Sequence, residues 1–224
     1  MASKEKRSII RYLKTNSKKI IVSFLAIFGM GLSLSFLILC NLGTDTCTFM
    51  NRNVAAKIGT TFGNWQLIFN IFFLILVIIF RRDLIGAGTF FNMVLIAYYA
   101  DFFDWIWGKI IPDSIFLEPL SRGIIFVLSL VGFIVTAAIY MNADAGIAPY
   151  DAIPVMFNDI FKKLPFFLCR NIIDFTCIFI GFLLGGKPLI GHFLMALFLG
   201  PAITIVGKLF SFIGKSSYKA KTLR

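Results

Sequence analysis

Apolar residues fall along this chain in long blocks separated by short polar breaks. From Ile20 to Cys40 no residue carries a formal charge. Coiled as a helix at about 1.5 Å per residue, such a run spans about 30 Å, the thickness of a bilayer's hydrocarbon layer. Further blocks cover 64–80, 84–107, 123–141, 167–184 and 189–213, the second and fifth being the shortest. None alternates polar with apolar residues, as the strands of a membrane barrel must. The pattern predicts an all-α integral membrane protein with six spanning helices.

Shifting the sequence by 103 positions, without a gap, brings the blocks into register. Gly29 falls on Gly132, Asn41 on Asp144, Gly43 on Gly146, Gly88 on Gly191 and Phe90 on Phe193. Met50, Val54 and Ile58 fall on Ile153, Phe157 and Phe161. The chain divides accordingly into a first three-span repeat (20–107), an external connector (108–122) and a second three-span repeat (123–213), with basic tails at 1–19 and 214–224. An odd number of spans per repeat makes the second enter the membrane from the opposite side, so the two repeats are expected in inverted topology.

Between the first and second spans of each repeat lies a more polar stretch, 43–62 and 146–163. In the second, Ile153, Met156, Phe157, Ile160 and Phe161 share one helical face. Pro149 and Asp151 suit a first turn, while Pro154 either kinks that helix or marks its start. The first stretch carries Thr44, Asp45, Thr46, Thr48, Asn51 and Asn53 and is too polar to span. Two readings stand for both: an amphipathic helix lying in the interface, or a re-entrant half-helix whose free N–H groups face a ligand.

Composition agrees with a membrane setting. Hydrophobic residues make up 58% of the chain and charged ones 15%, too few to clothe a soluble core of this size. The net charge of +11 is concentrated: seven basic residues precede Ile20, four follow Gly214, and Arg81–Arg82 and Lys162–Lys163 sit in turns. Six crossings put all of these on the side of the N-terminus. By the positive-inside rule both termini are cytoplasmic, with anionic lipid as the partner of the tails and no nucleic acid implied. The first block is too long for a signal-peptide core and reads as a retained helix. Cys40, Cys47, Cys169 and Cys177 show no metal-ligand spacing and read as small hydrophobes; a Cys40–Cys47 bridge is the less favoured alternative.

The order of short motifs resembles the YczE/YitT-like group of small bacterial membrane proteins. In the second half these are Ala148-Pro149-Tyr150-Asp151, Arg170 with Asp174, Gly181, Leu184-Gly185-Gly186, Gly191 and Gly200-Pro201. The first half has Asn41-Leu42-Gly43, Phe62-Gly63, Gly88-Thr89, Asn92 and Asp101. The likeness covers about 20–210 and is closer to YczE-like members. In place of the Pro-Trp-Asp often found after the first Asn-Leu-Gly, this chain has Thr46-Cys47-Thr48. The resemblance implies a bacterial inner-membrane location and a transport or regulatory role.

Ionisable side chains at membrane depth are costly and mark candidate sites. Arg170 and Asp174, four apart, share a helical face. They are either a self-neutralising structural pair or an anion-holding Arg beside a proton- or cation-exchanging Asp. Asp101, beside Tyr98, lies a turn deeper than Asp104, which the interfacial Trp105 and Trp107 place near water. His192 reads as interfacial, and Asn64, Asn70 and Asn92 as interhelical hydrogen-bond partners.

The leading expectation is a small-molecule or ion transporter. Its pathway between the repeats would be lined by Gly43, Asp45, Tyr98, Asp101, Tyr150, Asp151, Arg170 and Asp174. The alternative is a non-transporting membrane subunit or regulator acting through a protein partner, and a homo-oligomer is compatible with either. No HExxH, GxSxG or DDxxD-like run is present, so neither an enzyme nor a cofactor or metal is expected.

Overall fold

A computed structural model describes residues 15–112 and 114–212. Most of both basic tails lies outside the described residues, and with it the expected contact to anionic lipid.

The described chain is helical. In order come α1 (Ser17–Cys40), α2 (Thr46–Ile58), α3 (Phe62–Phe80), a 3-10 turn (Arg82–Leu84), α4 (Ala87–Ile110), a single turn α5 (Ser114–Leu117), α6 (Pro119–Asn142), α7 (Pro149–Ile160), α8 (Phe166–Leu183) and α9 (Ile190–Phe212). Among the described residues α1, α3, α6 and α8 are long and apolar enough to cross a membrane, and Ile190–Val206 of α9 forms a shorter apolar stretch. Their outward faces carry large apolar side chains, such as Leu25, Phe72, Ile79, Leu128 and Phe179, all more than half exposed. An apolar surface this extensive belongs in lipid rather than water. The protein is membrane-embedded. The blocks at 84–107 and 189–213 also form helices, but α4 carries Asp101, Asp104 and Lys109 and is not among the four apolar spans.

Local chemistry sets the helix ends. Asn41 ends α1 in the left-handed conformation (φ 48°), and Gly43 follows at φ 119°. Asp144 and Gly146 repeat this turn after α6, at φ 56° and 99°. Asp45 caps α2 by accepting from the Thr48 N–H at 2.9 Å. Pro119 and Pro149 open α6 and α7 at positions where a missing N–H costs nothing. The start of α7 is therefore Pro149, and Pro154 lies inside it.

The centre of the molecule is α1 against α6. Lys19 pairs with Asp144 at 2.6 Å. A Cβ on Gly29 would lie 2.8 Å from Thr136, and one on Gly132 would lie 2.8 Å from Ser33. Arg122 donates to the carbonyls of Cys40 and Asn41 at 2.6 and 2.9 Å. The start of one helix thus meets the end of the other, so they run antiparallel. These contacts come in pairs exchanged by the 103-residue offset: Lys19 corresponds to Arg122, Asn41 to Asp144, Gly29 to Gly132 and Ser33 to Thr136. The same exchange relates the Gly191 N–H on the Leu42 carbonyl (2.9 Å) to the Gly88 N–H on the Ala145 carbonyl (2.7 Å).

Burial repeats with the offset as well. Thr89, Asn92, Met93, Ile96, Ala97 and Ala100 of α4 are buried, as are His192, Met195, Ala196, Leu199, Gly200 and Ile203 of α9. The short helices cross over: α2 packs on α8, and α7 on α3.

One local departure from a gapless offset occurs. Phe62 opens α3 and Phe166 opens α8, 104 positions apart. Moved by 104, the buried Phe62, Gln66, Asn70 and Val77 land on Phe166, Arg170, Asp174 and Gly181, all buried.

Candidate functional site

The short helices are buried by end rather than by face. Thr46, Cys47, Thr48, Phe49, Met50 and Asn51 are all buried in succession. Six residues turn the helix through more than one full revolution, so protein surrounds the first turns of α2 on every side. Its far end is open, with Ile58 exposed. In α7 the buried set is Pro149, Tyr150, Ala152, Pro154, Val155 and Asn158. Of the apolar stripe, Ile153, Met156 and Phe157 are half-buried and Ile160 and Phe161 exposed. In lipid an apolar stripe has no reason to turn inward, whereas Asn158 does.

The N-termini of α2 and α7 meet at a cavity of about 60 Å³, lined by Asp45, Cys47 and Thr48 from one and Ala148, Tyr150 and Asp151 from the other. Gln66 and Asn70 of α3, Asn92 of α4, Tyr140 of α6 and Arg170 of α8 complete its polar wall, and Met30, Leu34, Phe133 and Ala137 are among its apolar residues. A water occupies about 10–15 Å³ on this measure, so the space admits a few waters or an ion rather than a metabolite.

Beside the cavity sits an ion network. Arg170, 4% exposed, donates through Nε to Asp174 at 2.9 Å and through Nη1 to Asp151 at 2.6 Å. Asp174, 1% exposed, also accepts from Thr46 Oγ1 at 2.6 Å and from the Tyr150 hydroxyl at 3.0 Å. Because the tyrosine's one proton goes to the carboxylate, its 3.3 Å contact with Cys177 Sγ makes the thiol the donor there. The guanidinium lies 5.3 Å from the Tyr150 ring centre, within cation–π range.

Opposite runs a neutral chain. Trp65 Nε1 donates to Asn51 Oδ1 at 2.8 Å, and Asn51 Nδ2 donates to Gln66 Oε1 at 2.8 Å.

Of the residues singled out from sequence, Asp45, Tyr150, Asp151 and Arg170 line this cavity, with Asp174 bonded to two of them. Gly43 does not. It packs on the backbone of Gly191 and borders a second, wider cleft of about 430 Å³, which Arg52, Lys187 and His192 also line. Tyr98 and Asp101 lie apart on α4, where the Tyr98 hydroxyl donates to Asn64 Oδ1 at 3.0 Å and Asp101 faces Gly63. Asp104, expected to be wetted, has a buried Oδ1 without a partner.

His192 is buried rather than interfacial. Its Nδ1 accepts from the Leu189 N–H at 2.8 Å, and its ring packs 4.1 Å from that of Phe49. Its counterpart Thr89 accepts from the Gly86 N–H at 3.1 Å in the same way, so both side chains cap the start of a helix. The four cysteines are free and buried. Among the described residues no group of three or more His, Cys, Asp or Glu is arranged to hold a metal ion.

Sequence reasoning passed over Gln66. It is the one glutamine in the chain and stands inside an apolar block, which is the signal that could have found it. No curated protein and no solved structure matches the chain. A family model does match over residues 17–208, nearly the whole length, so the chain belongs to the DUF6198 family, a family of unknown function.

Proposed function

We propose that this protein is a small transporter of the bacterial cytoplasmic membrane, with six spans in two inverted three-helix repeats and both termini cytoplasmic. The YczE/YitT-like likeness belongs to this proposal. Antiparallel packing of α1 on α6, and contacts exchanged by the offset, support the inverted relation, because a two-fold axis makes residue i meet j and j meet i. In this reading α4 and α9 complete the six crossings, with the carboxylates of α4 toward its outer end.

One observation carries the functional reading: two short helices, one from each repeat, bring their N-termini to a single cavity beside a buried Arg170–Asp151–Asp174 network. Broken helices meeting near the bilayer centre at a repeat interface are the arrangement of many secondary transporters. The wider cleft holding Arg52 and Lys187 forms the external vestibule, and rocking of one repeat against the other alternates access. The cavity's size favours an ion or a solute of a few atoms in this conformation.

The test is flux into proteoliposomes containing the full-length protein, using a panel of inorganic ions, small organic acids and amines. Saturable flux that is lost in Arg170→Ala is expected. Absence of flux across the panel, or flux unchanged in Arg170→Ala, contradicts the proposal.

A further inference from the structure

Two acceptor oxygens at the cavity have no donor. Asp45 gives Oδ1 to the Thr48 N–H, but its Oδ2 has no partner and essentially no exposed surface. Asn70, 1% exposed, directs its amide nitrogen to the Met93 carbonyl at 3.4 Å and leaves Oδ1 unpartnered. Both residues line the same cavity, one from each side of the α2–α3 turn. Buried acceptors without donors are destabilising by about 1–3 kcal/mol each unless a water proton or a cation meets them.

The charge balance points the same way. Asp45, Asp151 and Asp174 against Arg170 leave two negative charges. The N-termini of α2 and α7 offset these by about half a charge each. About one negative charge remains around a space of about 60 Å³. A proton on Asp45 Oδ2, donated to Asn70 Oδ1 or to a water, would cancel it as well, and the pH dependence of melting separates that outcome from a bound metal cation. A divalent cation prefers more carboxylate oxygens, and Asp151 and Asp174 are already engaged by Arg170.

We infer that the cavity is a binding site for one small monovalent cation, with Asp45 Oδ2 and Asn70 Oδ1 as protein ligands and neighbouring waters completing its shell. This rests on the transporter reading only for its use as a coupling or carried ion; the site itself stands on the two orphan oxygens and the charge balance.

The test uses full-length protein in nanodiscs, melted in sodium chloride, potassium chloride or choline chloride at matched ionic strength and pH. A ligand that binds only the folded state raises the melting temperature in a saturable way. Sodium or potassium is expected to do so over choline, with the midpoint raised tenfold or more in both Asp45→Asn and Asn70→Leu. Asp144→Asn, at a remote exposed ion pair, should leave the midpoint unchanged. Asn70→Asp, which adds a carboxylate, should lower it, and this variant decides the matter if Asp45→Asn fails to fold. Equal melting in all three salts overturns the inference. So does a stabilisation produced wholly by lowering the pH, or a midpoint that neither ligand variant moves.

Flux assays separate this proposal from the one beneath it. Cation binding without flux removes the transporter and keeps the site. Saturable flux with melting indifferent to sodium and potassium removes the site and keeps the transporter.

Discussion

The two halves put different chemistry on one backbone plan. In the second, α8 turns Arg170 and Asp174 inward, and α7 adds Tyr150 and Asp151. In the first, the matching positions of α3 hold Gln66 and Asn70, and α2 offers Cys47 and Thr48. Charge is thus gathered on one side of the cavity, apart from Asp45, and neutral amides on the other. Positions 103 apart share helix ends and close contacts, while the side chains that meet in the middle differ.

If that division is real, substitutions of the charged group should dwarf those of its neutral counterpart. Arg170→Ala leaves two buried carboxylates unpaired and should destabilise the protein by about 3–5 kcal/mol, read as unfolding in detergent. Gln66→Ala at the matching position should cost far less, and equal losses would break the comparison.

The shared backbone plan predicts the opposite behaviour at the glycine turns. A Cβ on Gly43 or on Gly146 would lie within 2.7 Å of backbone from the opposing turn, and both glycines have positive φ. Gly43→Ala and Gly146→Ala should therefore lose similar amounts, about 2–3 kcal/mol. Gly59→Ala, at φ 73° with open space around it, should lose only about 1 kcal/mol.

Within the neutral half, Asn51→Ala strands Trp65 Nε1 and Gln66 Oε1 and should cost about 1–3 kcal/mol, with a shift in tryptophan emission as Trp65 loses its partner. Smallest is Lys19→Ala. It removes an ion pair whose side chains are about 40% exposed and should change stability by no more than about 1 kcal/mol, less at high salt.

Much of this plan can be read from the chain. Block edges forecast helices because lipid rewards uninterrupted apolar runs, and Asn41-Leu42-Gly43 with Asp144-Ala145-Gly146 marks the paired turns because few residues other than Gly, Asn and Asp accept the positive φ at their outer positions. Arg170 and Asp174 stand out as charges inside an apolar block. The one-residue slip between α3 and α8 is not legible. Apolar side chains fill the lipid-facing positions of both, so hydropathy fixes where each helix lies and not its rotation. Nor could sequence place Tyr98 and Asp101 outside the cavity or His192 in a cap, since those depend on which helices meet.

The central claim is that the two repeats enter the membrane from opposite sides, and single-cysteine labelling tests it most directly. The four native cysteines would be replaced, and an impermeant thiol reagent applied to vesicles of known orientation carrying Lys57→Cys, Asp83→Cys, Lys163→Cys or Lys187→Cys, all at exposed positions. The account predicts that 83 and 163 label only from the cytoplasmic side and 57 and 187 only from outside. Labelling of 83 and 163 from opposite sides would contradict it.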